Sequence, residues 1–146
     1  MKVPLEIAIT GKSKPTERLL NAGWYLRDSH AVTLTYDDWI NYIQNSSGEF
    51  SVAKNVFVKT NSGWFSDRSS TYLACARPVV VQDTGFSDHL PCGRGLFAVK
   101  TVEEAAAAIE EVNGKYEKHS KAAYEIACEY LDARKVLSKF LREIGI

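Results

Sequence analysis

Cysteine is scarce here, and what there is falls into no pattern. Cys75, Cys92 and Cys128 form no Cys-x-x-Cys pair and no His/Cys zinc spacing. An odd, scattered set of thiols excludes a disulfide framework and points to reduced cysteines in a cytosolic protein. Charge of one sign is also missing. Eighteen Lys and Arg balance eighteen Asp and Glu, so the whole chain has no pull toward nucleic acid or an anionic membrane. That balance leaves room for a local basic patch and for peripheral membrane contact. No apolar run approaches the roughly 20 residues that span a bilayer. The N-terminal stretch lacks a signal-peptide apolar segment, so the cytoplasm is the expected compartment.

Catalytic signatures are sparse too. Gly11-Lys12-Ser13 has neither the earlier glycine nor the spacing of a Walker A loop and reads as a solvated loop. No Gly-x-Ser-x-Gly elbow exists. His30, His89 and His119 lie far apart with no metal-ligand spacing, so they read as surface or satisfied residues and no metal is expected. His89 is the histidine to test first. Asp37-Asp38 reads as helix-start charge, not as an acid/base couple.

What remains is an ordinary globular composition. The chain has 146 residues, 45% hydrophobic and 25% charged, which fits one domain with a sizeable core. Residues 5–9, 24–26, 49–53 and 96–99 read as strands, and 56–58 as a packing segment or short strand. Helices are expected over 16–22, closed by Gly23, and from a Thr35/Asp38 cap to Gln44; residues 28–30 read as loop. Thr101 and Glu104 form a capping box ahead of a helix to Val112. From Lys115 the pattern stays helical. Ala122, Ala123, Ile126, Ala127 and Tyr130 make one stripe, and after a break near Asp132, Val136, Leu137, Phe140, Leu141 and Ile144 make a second. Both stripes read as core-facing.

The centre of the chain is residues 62–81. Gly63 permits a tight turn, Ser66 is a good N-cap, and Asp67 suits the positive end of a helix dipole. Pro78 ends that helix, and Val79-Val80-Val81 is the run of a strand covered on both faces. Alternating strands and helices imply an α/β fold: a single Rossmann-like three-layer domain, a mostly parallel sheet of about four to six strands, and a helical C-terminus. Such sheets bind ligands at the C-terminal strand edge. That edge collects Lys54, the turn Gly63, Trp64, Phe65, Ser66, Asp67 and Arg68, and the loop Gln82, Asp83, Thr84, Gly85 and Phe86.

Gly63-Trp64-Phe65-Ser66, followed by Tyr72-Leu73-Ala74-Cys75-Ala76-Arg77-Pro78-Val79-Val80-Val81, resembles the donor-binding region of GT-B glycosyltransferases. The wider run over 48–54, 62–69 and 82–86 looks closer still to a bacterial glycosyltransferase-like subgroup. The resemblance implies the C-terminal, Rossmann-like half of a two-domain enzyme. There the turn and helix N-terminus hold the diphosphate of a nucleotide sugar, with Lys54 or Arg68 adding charge. The nucleotide sugar is then a substrate, and no separate cofactor is implied. The family's two glutamates fall at Gly63 and Thr71, and its glycine before x-Pro-Val-Val falls at Ala76. One domain without an acceptor half implies a separated donor half, inactive alone, whose partner is a separate N-terminal half or a second copy. The competing reading is a stand-alone Rossmann-like binding module without transferase activity. Trp39, Tyr42 and Trp64 read as core aromatics, the alternative being a surface that a missing partner covers.

Overall fold

A computed structural model describes residues 3–146, and the chain forms two compact units, Met1–Asn45 and Ser46–Ile146. Parallel strands alternate with helices and the chain ends in helices, so the fold is α/β as expected. The sheets are smaller than expected. Among the described residues five strands pair, as one set of two and one set of three. The cause lies in the strands themselves. β1 (Glu6–Ala8) and β2 (Tyr25–Arg27) are three residues long and partly exposed. Continuous apolar runs of the kind a covered strand needs occur in β4 (Val79–Gln82) and in the Leu96–Val99 strand, both in the set of three.

In the first unit β1 pairs in parallel with β2. Arg27 donates from Nε and Nη2 to the two Glu6 carboxylate oxygens across that pair, at 3.0 and 3.2 Å. α1 (Thr16–Asn21) connects the strands. Residues 28–30 are not a loop: Asp28 accepts from the His30 N–H and caps a short helix, α2 (Ser29–Thr33). α3 (Tyr36–Gln44) starts with the expected box, in which Thr35 accepts from the Asp38 N–H and the Asp38 carboxylate accepts from the Thr35 N–H.

In the second unit β3 (Glu49–Ser51), β4 and β5 (Leu96–Val99) form a parallel sheet in the order β3-β4-β5. Phe50, Val80 and Phe97 are in register. Because side chains alternate along a strand, these three share a face. α6 (Val102–Gly114) covers it with Ala105, Ala108, Ile109 and Val112. Glu49, Ser51, Val79 and Val81 point to the other face, where α5 (Asp67–Ala74) lies. α7 (Tyr116–Ile126) meets the chain at the strand starts: Ser120 donates to the Ala76 carbonyl, and His119 Nδ1 accepts from the Gly95 N–H. His119 is a buried core residue, but only its Nδ1 is bonded: among the described residues its Nε2 has no hydrogen-bond partner, Glu111 Oε1 lying 3.4 Å away.

Three local expectations change. Residues 56–58 form no strand but lie in a helix, α4 (Asn55–Lys59), and pack as the other alternative had it, Phe57 stacking on Trp64 at 4.8 Å between ring centres. The Glu104 carboxylate accepts from the Lys100 N–H, not from Thr101, while Thr101 Oγ accepts from the Glu104 N–H as expected. The second C-terminal stripe is not core. Ala122, Ala123, Ile126 and Ala127 are buried, but Tyr130 and the five apolar residues of the last stripe are exposed. A π-helical turn (Ala127–Leu131) and extended backbone at Asp132 break the register, and Asp132 caps a new helix, α8 (Ala133–Glu143).

Candidate functional site

The C-terminal ends of β3 and β4 open into a cavity of about 290 Å³ in the second unit. That is near the lower limit of ligand pockets, about 300 Å³. Two backbone devices shape it. Gly63 has a positive φ of 72°, the left-handed turn its lack of Cβ allows, and its N–H donates to the Thr84 carbonyl at 2.8 Å. Thr84 Oγ1 in turn donates to the Trp64 carbonyl at 2.6 Å. The 62–66 turn and the loop after β4 are thereby locked together, which the sequence placed on one edge but not in contact.

Of the expected residues, Lys54, Trp64, Phe65, Ser66, Arg68, Gln82, Thr84 and Phe86 line this cavity. Gly63, Asp67, Asp83 and Gly85 do not; they build its frame. Asp83 accepts from the Gly85 N–H at 3.0 Å and from Ser87 Oγ at 2.9 Å, with Lys100 at 3.7 Å. Burial pushes its carboxyl up, but those donors and the Lys100 charge prevail and hold it below the ordinary carboxylate range. It is a turn brace. Ser69, at the end of the expected turn, lines it too; lining residues that the sequence did not single out are Ser51, Val52, Ala53, Phe57 and Val81. Phe57 was hidden because α4 is a short helix of β-branched residues, which reads as a strand.

Ser66 caps α5 as expected, its Oγ accepting from the Arg68 N–H at 3.3 Å. Asp67 Oδ1 accepts from the same N–H at 2.9 Å. The first-turn N–H groups of Asp67 and Ser69 have no partner within the helix and are the donors α5 offers a ligand. Asp67 itself offsets part of the dipole there. Arg68 is held to the sheet: its Nε donates to Glu49 Oε1 at 2.7 Å and its Nη2 to Ser51 Oγ at 3.1 Å. The Glu49 side chain is only 4% exposed. Period-2 alternation already places Glu49 and Ser51 on the α5 face, so this clamp was readable in principle. Lys54 is exposed at the cavity rim and, among the described residues, has no ion-pair partner. Gln82 Oε1 accepts from the Ala53 N–H at 3.2 Å and ties the two strand ends. The exposed Trp64 stacks on Phe57, and Phe65 packs on Phe86 with ring centres 5.0 Å apart, giving the cavity an aromatic wall.

This arrangement can hold an anion beside a flat apolar group. It contains no nucleophile–base pair, and His30 and His89 are exposed and lie outside it. Among the described residues no cluster of His, Cys, Asp and Glu is suited to a metal ion, and no helix is long and apolar enough to cross a membrane. No protein-family model, curated protein or solved structure matches the chain.

Proposed function

We propose that the second unit is a donor-binding half of the kind found in GT-B glycosyltransferases, taking the diphosphate of a nucleotide sugar. The observation that supports it is the cavity at the β3 and β4 ends. There Lys54, the α5 first turn and an aromatic wall line one space of about 290 Å³. In this reading Lys54 and the Ser69 N–H, both from residues that line the cavity, neutralise the diphosphate and stabilise it as a leaving group. Trp64 and Phe65 bound the flat or apolar part of the ligand. In this reading the acceptor and its catalytic groups lie outside this unit, so the unit alone transfers no sugar.

Calorimetry with a panel of nucleotides and nucleotide sugars tests this. A diphosphate-bearing ligand binds, and Lys54→Met weakens it by roughly tenfold to a hundredfold, the worth of one charge-assisted hydrogen bond. Silence across the panel sinks the proposal. It would favour a stand-alone binding module without transferase activity. A specific observation speaks for that second reading: the groups nearest the missing glutamates are already engaged. Thr71 Oγ1 donates to the Asp67 carbonyl at 2.9 Å, and Arg68 is clamped by Glu49 and Ser51.

A further inference from the structure

α8 carries a complete amphipathic pattern that its own fold does not use. Val136, Leu137, Phe140, Leu141 and Ile144 are 41–57% exposed. At 100° per residue they fall within an arc of roughly 140°. The opposite arc holds Arg134, Lys135, Lys139 and Arg142 against a single acid, Glu143. The chain as a whole is neutral, so this one helix concentrates positive charge. Arg134 lies about 20° from one border of the apolar arc, where a long cationic side chain keeps its head in water while its stem follows an apolar surface; Glu143 lies about 20° from the other border.

An open groove of about 890 Å³ lies beside the helix, its lining including all four cations and the acids Glu129 and Glu143. Three of the cations have acid neighbours. Arg134 pairs with Asp132 at 3.0 Å, Lys135 with Glu129 at 2.5 Å, and Lys139 with Glu143 at 3.8 Å. All but Asp132 are well exposed, and such pairs contribute little and exchange readily with other anions. Among the described residues no acid pairs with Arg142, whose Nε donates to the Ser138 carbonyl.

We propose that α8 is a membrane-surface helix that lies in the interface of an anionic bilayer. Its apolar arc enters the acyl boundary, and its four cations meet lipid phosphates and carboxylates. Within the helix four cations stand against Glu143 alone on the polar face, which matches an anionic surface. The obvious rival is a second copy of this chain, but the apolar arc of one three-turn helix per copy is small beside the about 1,000 Å² of a stable interface.

The test is co-sedimentation of the full chain with phosphatidylcholine vesicles, with and without phosphatidylserine. Binding is expected only when phosphatidylserine is present, and added salt should reverse it. Leu137→Glu with Phe140→Glu should abolish it. Lys139→Gln with Arg142→Gln, which leaves the apolar arc untouched, should weaken it by about tenfold or more. Circular dichroism checks that each variant stays folded, and the salt titration of the unaltered chain needs no variant. No binding to phosphatidylserine vesicles overturns the proposal. So does light scattering that shows a dimer which the Leu137→Glu, Phe140→Glu variant dissociates, because the face then belongs to an interface between copies.

Discussion

The clamp between Arg68 and Glu49 makes an asymmetric prediction. Removing the guanidinium while keeping the stem, as in Arg68→Met, leaves the Glu49 carboxylate 4% exposed with Ser51 Oγ as its remaining donor. Its Oε2 already has no hydrogen-bond partner. Stranding one member of a fully buried pair costs about 3–5 kcal/mol. Arg68 is 45% exposed, so water enters the space it vacates, and the expected loss falls to about 2–3 kcal/mol. The reverse deletion, Glu49→Gln, leaves a guanidinium that water can solvate and an amide oxygen that can still accept, so the loss should be about 1 kcal/mol. Removing both charges, Arg68→Met with Glu49→Gln, should recover most of the Arg68→Met loss, because no buried charge is left unpaired. Urea unfolding of the four proteins reads all three values. Equal losses from the two single variants, or no recovery in the double variant, would show that Glu49 is not desolvated as described. Arg68 would then be free to serve a ligand.

Three further perturbations follow from local geometry. Ala76 sits in the left-handed region with φ 57°, which costs an L-residue about 1–2 kcal/mol, so Ala76→Gly should raise stability by up to about 1 kcal/mol after glycine's entropy is subtracted; thermal or urea unfolding measures it. Gly95 has φ 80°, and a Cβ there would lie 2.5 Å from the Ala123 nitrogen, so Gly95→Ala should destabilise by about 2–5 kcal/mol, read as a lower urea midpoint. The Asp83 carboxyl is held low in the folded state, so its contribution is present above the ordinary carboxylate value of about 3.9 and is lost as pH falls through the folded value. Asp83→Asn should therefore be less stable than the parent chain at neutral pH, with the gap closing below about pH 4 in an acid-unfolding series.

The sequence disclosed what local chemistry determines. Val79-Val80-Val81 became the central, buried strand, and the caps at Thr35, Ser66 and Thr101 fell where the residue types put them. What stayed hidden depends on distant partners. Phe57 reads as strand until Trp64 arrives to stack on it. Arg68 reads as a phosphate ligand until β3 alternation is followed across 19 residues to Glu49. The α8 stripe has the same period as the buried α7 stripe, and periodicity cannot say that a π turn between them sends the second away from the core.

The GT-B resemblance can be divided on the same physical grounds. α5 ends in a paired C-terminal turn: the Ala76 N–H donates to the Leu73 carbonyl at 3.0 Å and the Arg77 N–H to the Tyr72 carbonyl at 2.8 Å. This is the Schellman arrangement, which requires positive φ at Ala76 and is commonly followed by proline, here Pro78. A glycine, one residue, a proline and a β-branched run is thus the pattern that any helix-to-buried-strand turn of this kind favours. That part of the resemblance reports folding mechanics and carries no information about a ligand. The ligand-reading part is the pair of carboxylate positions. At those positions the chain has Gly63, used for a left-handed turn, and Thr71, whose hydroxyl is bonded back to its own helix. The case for a nucleotide-sugar diphosphate therefore rests on Lys54 beside the α5 first turn; of the two, Lys54 is the feature that folding does not require, and Lys54→Met is the substitution that separates a ligand site from a structural edge.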